Sequence, residues 1–117
     1  MGQIVLVVED EVLIRFDISD YLRAEGFEVL EASTAQEAIK ILQGAQPVAL
    51  VFTDVQMPGA LNGLDLANYV IRNHPDVKIL IASGHIRSAE LPEGLGQLIE
   101  KPYRPSKIVG LVRNALS

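Results

Sequence analysis

A chain of 117 residues with 49% hydrophobic and 21% charged residues has the composition of one ordinary globular domain. Its net charge of −5 argues against direct nucleic-acid binding, and the absence of cysteine excludes disulfides and leaves only two histidines for a zinc site. Because no apolar run reaches the roughly 18 residues of a membrane span and no signal peptide is recognisable, we expect a cytoplasmic protein without membrane contact.

The first part of the chain predicts a strand, a helix and a second strand. The run Ile4–Val8 is too short for a helix and does not alternate, which is typical of a buried parallel strand. The following residues change to a helical period, and the apolar stripe that should face the sheet consists of Ile14, Ile18, Tyr21 and Leu22. Phe27–Glu31 alternates between apolar and polar residues, so it is predicted to be an edge strand.

A second helix is predicted before the next buried strand, Val48–Phe52. Thr34 with Glu37 three residues later forms a capping-box pattern that marks its start. The apolar stripe of this helix consists of Ala35, Ala38, Ile39 and Leu42. Gly26 and Gly44 suit the left-handed positions that end the first two helices.

The second half of the chain continues the alternation. A third helix should stop before Pro75, and its stripe consists of Leu66, Ala67, Val70 and Ile71. Ile79–Ala82 is predicted to be a buried strand and Gln97–Glu100 a shorter one. The fourth helix between them should be short or irregular because of Pro92, Gly94 and Gly96. The last helix has a stripe of Ile108, Leu111, Val112, Ala115 and Leu116.

This strict alternation of strands and helices predicts the α/β class. Right-handed crossovers give a parallel sheet with helices on both faces. Ligand sites of such sheets lie at the carboxyl ends of the strands, near the point where the strand order reverses. Since no linker, repeat or low-complexity stretch is present, we expect one domain over residues 1–117.

Polar side chains follow the predicted buried strands. Glu9 and Asp10 follow the first strand, Asp54 the third, Ser83 the fourth and Lys101 the fifth. Three carboxylates brought within roughly 4 Å would repel by about 1–4 kcal/mol per pair, so such a cluster requires a cation. Mg²⁺ prefers carboxylate, carbonyl and water oxygens, and together with the lysine it would neutralise the three acids.

Four short motifs stand at the strand ends in a fixed order. They are Val8-Glu9-Asp10-Glu11, Asp54-Val55-Gln56-Met57-Pro58, Ala82-Ser83-Gly84 and Glu100-Lys101-Pro102-Tyr103, with Gly63-Leu64 opening the third helix. Together they resemble the receiver (REC) domain of two-component response regulators, in its single-domain type. The resemblance covers essentially the whole chain. It implies a flavodoxin-like, doubly wound sheet of five parallel strands in the order 2-1-3-4-5.

The resemblance implies a Mg²⁺ site at the strand ends. The carboxylates of Asp10 and Asp54 and the backbone carbonyl of Gln56 would bind the ion, and Glu9 would act through a coordinated water. Mg²⁺ is therefore the cofactor that we expect.

The resemblance also implies phosphoryl chemistry. Asp54 would attack the phosphorus of a phosphohistidine in a sensor histidine kinase or a histidine phosphotransferase and form an acyl phosphate. Lys101 and the hydroxyl of Ser83 would each contact a phosphoryl oxygen, and Lys101–Pro102 resembles the cis peptide bond of the family. The domain would catalyse its own phosphorylation and dephosphorylation and would not be an enzyme in any other sense. It would signal to a downstream protein partner as a monomer or weak dimer.

Leu98 departs from the family pattern, and His85 occupies a position of interest beside the site. Leu98 stands where the family often has an aromatic residue that swings inward on phosphorylation, and we expect it to be a core residue of the fifth strand. Signalling would then run through Ser83 and shifts of the backbone. His85 lies where side chains influence the lifetime of the acyl phosphate, but a solvated loop histidine is an equally good interpretation.

Two other classes of function stay open. One is a phosphorylation-independent interaction module with the same fold, against which four retained residues argue: Asp10, Asp54, Ser83 and Lys101. The other is a different enzyme on this architecture. A flavin protein would need a phosphate-binding loop after the first strand, and an aspartate-nucleophile phosphatase would need a second acid where Gln56 stands.

Overall fold

The computed structural model describes residues 2–84, 91 and 94–117, and within them five strands and four helices are present. The strands are β1 (Ile4–Val8), β2 (Glu28–Ala32), β3 (Val48–Asp54), β4 (Lys78–Ser83) and β5 (Gln97–Glu100). The helices are α1 (Val12–Ala24), α2 (Ala35–Leu42), α3 (Gly63–Asn73) and α4 (Pro105–Leu116). None of these helices combines the length and the apolar character needed to cross a membrane.

The strands form one parallel sheet in the order β2-β1-β3-β4-β5, which confirms the predicted order 2-1-3-4-5. Strand β2 lies at an edge, as its alternating sequence predicted. The register aligns the strand ends: Val8 pairs with Thr53, and Asp54 pairs with Ala82. The residues that follow β1, β3 and β4 therefore emerge at the same edge of the sheet.

The apolar core lies on both faces of the sheet. In β1, Val5 and Val7 pack against buried residues of α1 and α4, whereas Leu6 and Val8 pack against buried residues of α2 and α3. All four side chains are 0% exposed. A strand that is covered on both faces needs apolar residues at every position, and this explains why β1 does not alternate.

Side chains cap the starts of α2 and α3. The Thr34 hydroxyl accepts a hydrogen bond from the Glu37 N–H at 3.1 Å, as the sequence predicted. At α3, Asn62 Oδ1 accepts from the N–H groups of Leu64 and Asp65, and the Asp65 carboxylate accepts from the Asn62 N–H at 2.9 Å. This reciprocal capping box at α3 was not predicted, because the sequence pattern looks for Ser or Thr followed by Glu or Gln, whereas here the residues are Asn62 and Asp65.

The two helix-ending glycines differ from each other. Gly26 has a φ of 96° just after α1, so its left-handed conformation is confirmed. The same prediction for Gly44 is wrong, since Gly44 is not among the glycines with positive φ. Its N–H donates to the Ile41 carbonyl at 3.0 Å, so α2 ends in a tight turn that does not need the left-handed conformation.

Two residues at the margins of the predicted stripes are exposed. Tyr21 is 47% exposed, so the prediction that it faces the sheet is wrong, and Ile71 in the predicted stripe of α3 is 40% exposed. The buried residues of α1 are Ile18, Ser19 and Leu22. The buried face is thus rotated toward Ser19, and Tyr21 is left at its rim, where an apolar period alone does not decide burial.

The connection between β4 and β5 is only partly described. The predicted short or irregular fourth helix falls largely on residues 85–90 and 92–93, which include His85 and Pro92 and lie outside the described residues. After this segment Gly94 and Gly96 have φ values of 83° and 124°, both in the left-handed region. Leu98 lies in β5, where its half-buried side chain packs against a cluster of Val55, Ala67, Ile81 and Leu95.

Candidate functional site

Three acids predicted from the sequence converge at the carboxyl edge of the sheet. Glu9 and Asp10 follow β1, and Asp54 ends β3. Each offers one carboxylate oxygen, and these three oxygens lie within 4.8 Å of one another. Asp10 is the least buried of the three, so the cluster opens toward solvent on its side.

The Asp54 carboxylate is held on both of its oxygens. Oδ1 accepts a hydrogen bond from the Val55 N–H at 2.9 Å, and Oδ2 lies 3.1 Å from Lys101 Nζ. Lys101 is itself fixed to the sheet, because its backbone N–H donates to the Ser83 carbonyl at 2.9 Å. The Lys101–Pro102 peptide bond is cis, as the resemblance implied. The predicted amine and the predicted nucleophile are therefore in direct contact.

The other two predicted residues lie nearby in different surroundings. Ser83 is 2% exposed and ends β4, one register position beyond Ala82, the partner of Asp54. Gln56 is exposed in the loop two residues after Asp54. Its backbone carbonyl remains a predicted ligand.

Glu9 carries the electrostatic strain of the site. It is 1% exposed, and although Oε2 accepts from the Glu11 N–H at 3.0 Å, Oε1 has no hydrogen-bond partner among the described residues. Burial raises the pKa of Glu9 to about 7 against the opposing effect of the Glu11 N–H, and the negative charge of Asp54 raises it further. Glu9 thus presents a buried oxygen without a donor beside the carboxylates of Asp10 and Asp54. Together the three acids form an all-oxygen ligand set of the kind that fits Mg²⁺.

Binding of Mg²⁺ to this cluster would depend on pH in a predictable way. Between its ordinary pKa of 4.5 and a pKa of about 7, Glu9 is protonated in the folded protein but ionised in the unfolded chain. The contribution of this proton to the free energy of unfolding is therefore complete below pH 4.5 and is lost as the pH rises through about 7. Mg²⁺ requires the ionised acid, so it should raise the thermal midpoint more at about pH 8 than at about pH 5. Calorimetric scans at both pH values check this. Glu9→Gln should reduce the difference, and an equal midpoint gain at both pH values would contradict the assignment.

Tyr103 follows Lys101 and Pro102 and lies close enough to the acidic cluster for its charges to affect the phenol. Its ring packs edge-on against Phe52, with 6.1 Å between ring centroids and an interplanar angle of 87°. Burial, followed by the negative charges of Glu9 and Asp54, raises the pKa of Tyr103 above its ordinary value. The phenol therefore stays neutral near the acidic cluster.

Two residues near the site were not predicted. Arg15 of α1 donates from Nη1 to the Glu9 carbonyl at 2.9 Å. Gly63, the first residue of α3, packs so closely that a Cβ atom built on it would lie 2.0 Å from the Asp54 carbonyl oxygen. The sequence marked Gly63 as the start of a helix. Nothing in the sequence indicated the contact of Gly63 with Asp54 or the direction in which the Arg15 side chain points.

Comparison with known proteins agrees with this architecture. The family model of the response regulator receiver domain matches residues 5–113. The chemotaxis protein CheY of Thermotoga maritima is 32% identical over 114 residues, which cover 93% of this chain and 93% of CheY. The nitrogen assimilation regulatory protein NtrX of Azorhizobium caulinodans is 31% identical over 99% of this chain, but the chain spans only 26% of NtrX. The chain thus spans about a quarter of the length of the NtrX-type relatives that it matches.

One similar solved structure was determined with a bound magnesium complex. The response regulator protein TrrA of Thermotoga maritima, determined in complex with Mg²⁺-BeF, superposes with a TM-score of 0.85 and is 27% identical. The match covers 97% of this chain and 99% of TrrA. Members of the matched family are phosphoacceptor signalling domains of two-component systems. From the match over residues 5–113 and the full-length similarity to CheY, the chain belongs to the receiver domain family of response regulators.

Proposed function

We propose that this chain accepts a phosphoryl group on Asp54 from a phosphohistidine, with Mg²⁺ held by Asp10, Asp54 and the Gln56 carbonyl. The observation that carries the proposal is the pairing of Asp54 with Lys101 at 3.1 Å beside two further acids whose oxygens lie within 4.8 Å. A carboxylate that is 8% exposed stays available as a nucleophile only if nearby positive charges balance it. The Mg²⁺-BeF complex of the related TrrA supports the same chemistry here.

The transfer step needs no separate strong base. One oxygen of the ionised Asp54 carboxylate forms the bond to phosphorus while the bond from phosphorus to the imidazole nitrogen breaks, and the electron pair leaves with that nitrogen. Positioning and charge neutralisation supply most of the rate in such reactions. When bound, Mg²⁺ supplies positive charge next to the phosphoryl oxygens.

The chain's own residues take distinct roles in this proposal. Lys101 moves its ammonium from Asp54 to one phosphoryl oxygen, and the Ser83 hydroxyl donates to another. Glu9 acts through a coordinated water, which gives its partnerless oxygen a donor. The same groups would position a water for hydrolysis of the acyl phosphate. The domain would therefore catalyse both its own phosphorylation and its own dephosphorylation.

The proposed partners are a sensor histidine kinase or a histidine phosphotransferase upstream and a protein partner downstream. The Lys101 N–H bond to the Ser83 carbonyl joins β4 to the start of the loop after β5, so a turn of Ser83 toward the phosphoryl group would move that loop. This route replaces the inward swing of an aromatic residue, because Leu98 occupies the corresponding place in β5. The cytoplasmic location and the monomeric or weakly dimeric state stay predictions.

Intact mass spectrometry tests the proposal directly. Incubation of the wild type with Mg²⁺ and a small-molecule phosphodonor should add a single phosphoryl group, and Asp54→Asn or a chelator should abolish the gain. Asp76→Asn is the matched control, because Asp76 is exposed between α3 and β4 and should leave the gain unchanged. If the wild type gains nothing from this donor or from phosphohistidine proteins, the phosphorylation-independent interaction module becomes the better account.

A further inference from the structure

The guanidinium of Arg15 connects the turn after β1, which contains Glu9 and Asp10 and is called the acidic turn below, to the edge strand β2. From α1 its Nη1 donates to the Glu9 carbonyl at 2.9 Å, and its Nε donates to Glu31 Oε1 in β2 at 3.1 Å. The side chains of Arg15 and Glu31 are only 14% and 22% exposed. Because the guanidinium is a planar fork with fixed donor directions, the two bonds together fix its orientation.

Glu31, which accepts the hydrogen bond from Arg15 Nε, is also bound by a second arginine. Arg23, also in α1, donates to the other carboxylate oxygen of Glu31 at 3.1 Å and to the Val29 carbonyl at 3.2 Å. Its side chain is 45% exposed, and none of its contacts among the described residues reaches the acidic turn. The two arginines thus share one acceptor, but only Arg15 touches Glu9.

With the contact from Arg15, both backbone polar groups of Glu9 are hydrogen-bonded. The Glu9 N–H donates to the Ala32 carbonyl at 3.0 Å, and the Glu9 carbonyl accepts from Arg15. The peptide plane that contains this carbonyl leads directly to the Cα of Asp10. Its orientation therefore sets the direction in which the Asp10 carboxylate leaves the turn. Mg²⁺ tolerates little deviation from octahedral geometry, so a small rotation of this plane should weaken binding.

We propose that Arg15 is a positioning residue for the cation site. It holds the peptide plane between Glu9 and Asp10 so that their carboxylates converge with that of Asp54. Arg15 touches neither the cation nor the phosphoryl group. This inference rests on the proposed function, because it takes the acidic cluster to be a Mg²⁺ site.

The test compares two arginine variants of the full chain. The Mg²⁺ dissociation constant is measured by titration of amide chemical shifts for the wild type, Arg15→Met and Arg23→Met. Each variant removes one positive charge from α1 and one hydrogen bond to Glu31, but only Arg15→Met releases the Glu9 carbonyl. Outer contacts of metal ligands contribute about 10- to 100-fold to affinity, so Arg15→Met should raise the dissociation constant at least about tenfold. Arg23→Met should leave it within about twofold, as a surface charge does.

Equal affinities for the two variants, whether both unchanged or both weakened, would overturn the proposal. Unfolding midpoints in chelator, measured in parallel, separate a loss of affinity from a loss of stability. Arg15→Lys keeps the charge but cannot span both acceptors with one fork. It should bind Mg²⁺ several-fold more weakly than the wild type, and it decides the matter if Arg15→Met does not fold. A lysine variant with wild-type affinity would also overturn the proposal. A wild type that does not bind Mg²⁺ would instead remove the proposed function on which it rests.

Discussion

Replacing Gly63 with alanine is expected to lower the free energy of unfolding by about 3 kcal/mol, near the upper end for an extra carbon forced into packed surroundings. The added Cβ would lie 2.0 Å from the Asp54 carbonyl oxygen, 2.8 Å from its carbonyl carbon and 2.9 Å from the Cα of Val55. All three are backbone atoms, and the Gly63 N–H is already bound to the Val55 carbonyl at 2.8 Å. The start of α3 would have to move away from β3, and chemical denaturation followed by circular dichroism measures the cost.

Gly110 offers the matched control for this substitution. It lies inside α4, and a Cβ built on it would meet no atom within 4 Å. Gly110→Ala should therefore stabilise the protein by about 0.5–1 kcal/mol, because alanine is the better helix former. Similar stability changes for the two variants would show that the close approach of Gly63 to Asp54 is not a constraint of the fold.

Replacing Lys101 with methionine is expected to slow phosphoryl incorporation by about 10²–10³-fold, the usual cost of removing one group that stabilises transition-state charge. The variant keeps most of the length of the side chain and removes the ammonium 3.1 Å from Asp54. In the absence of that charge, the phosphoryl oxygens lose a partner and the approaching anion meets three acids whose charge Mg²⁺ alone balances only in part. Time-resolved intact mass spectrometry with a small-molecule phosphodonor gives the rate.

Lys107→Met controls for the loss of one positive charge near the site. Lys107 is exposed in the first turn of α4, close to Pro102 and Tyr103. It should change the rate by less than about threefold, since exposed charges act weakly through solvent. If both lysine variants slowed incorporation equally, Lys101 would act through the general field of the surface and not through contact with the phosphoryl group.

Much of the fold follows from local spacing in the sequence. The apolar run of β1, the alternation of β2 and the helical periods between strands predict the elements, and the helical crossovers between them predict a parallel sheet. The strand order 2-1-3-4-5 was implied only by the family resemblance. The clustering of Glu9, Asp10 and Asp54 follows in turn, because the carboxyl ends of neighbouring parallel strands share one edge. This part of the site depends only on topology.

The remaining features depend on how the elements dock. The exposure of Tyr21 is set by the rotation of α1 about its axis, to which a wide apolar stripe is insensitive. The reach of Arg15 to the Glu9 carbonyl depends on the same rotation. The contact of Gly63 with Asp54 depends on an approach of backbone to backbone that leaves no trace in composition. Sequence patterns report which face of an element is apolar, but not its final angle against its neighbours.

The partnerless oxygen of Glu9 also bears on which substitutions the protein tolerates. A buried acid with one oxygen that lacks a donor and with two other acids beside it costs stability whenever no cation is bound, so a neutral residue of similar shape at this position should make the cation-free fold more stable. Selection for stability alone would remove such a residue, whereas selection for a charged and responsive site retains it. The turn after β1 is therefore a place where variants recovered by a screen for thermostability and variants recovered by a screen for signalling should diverge.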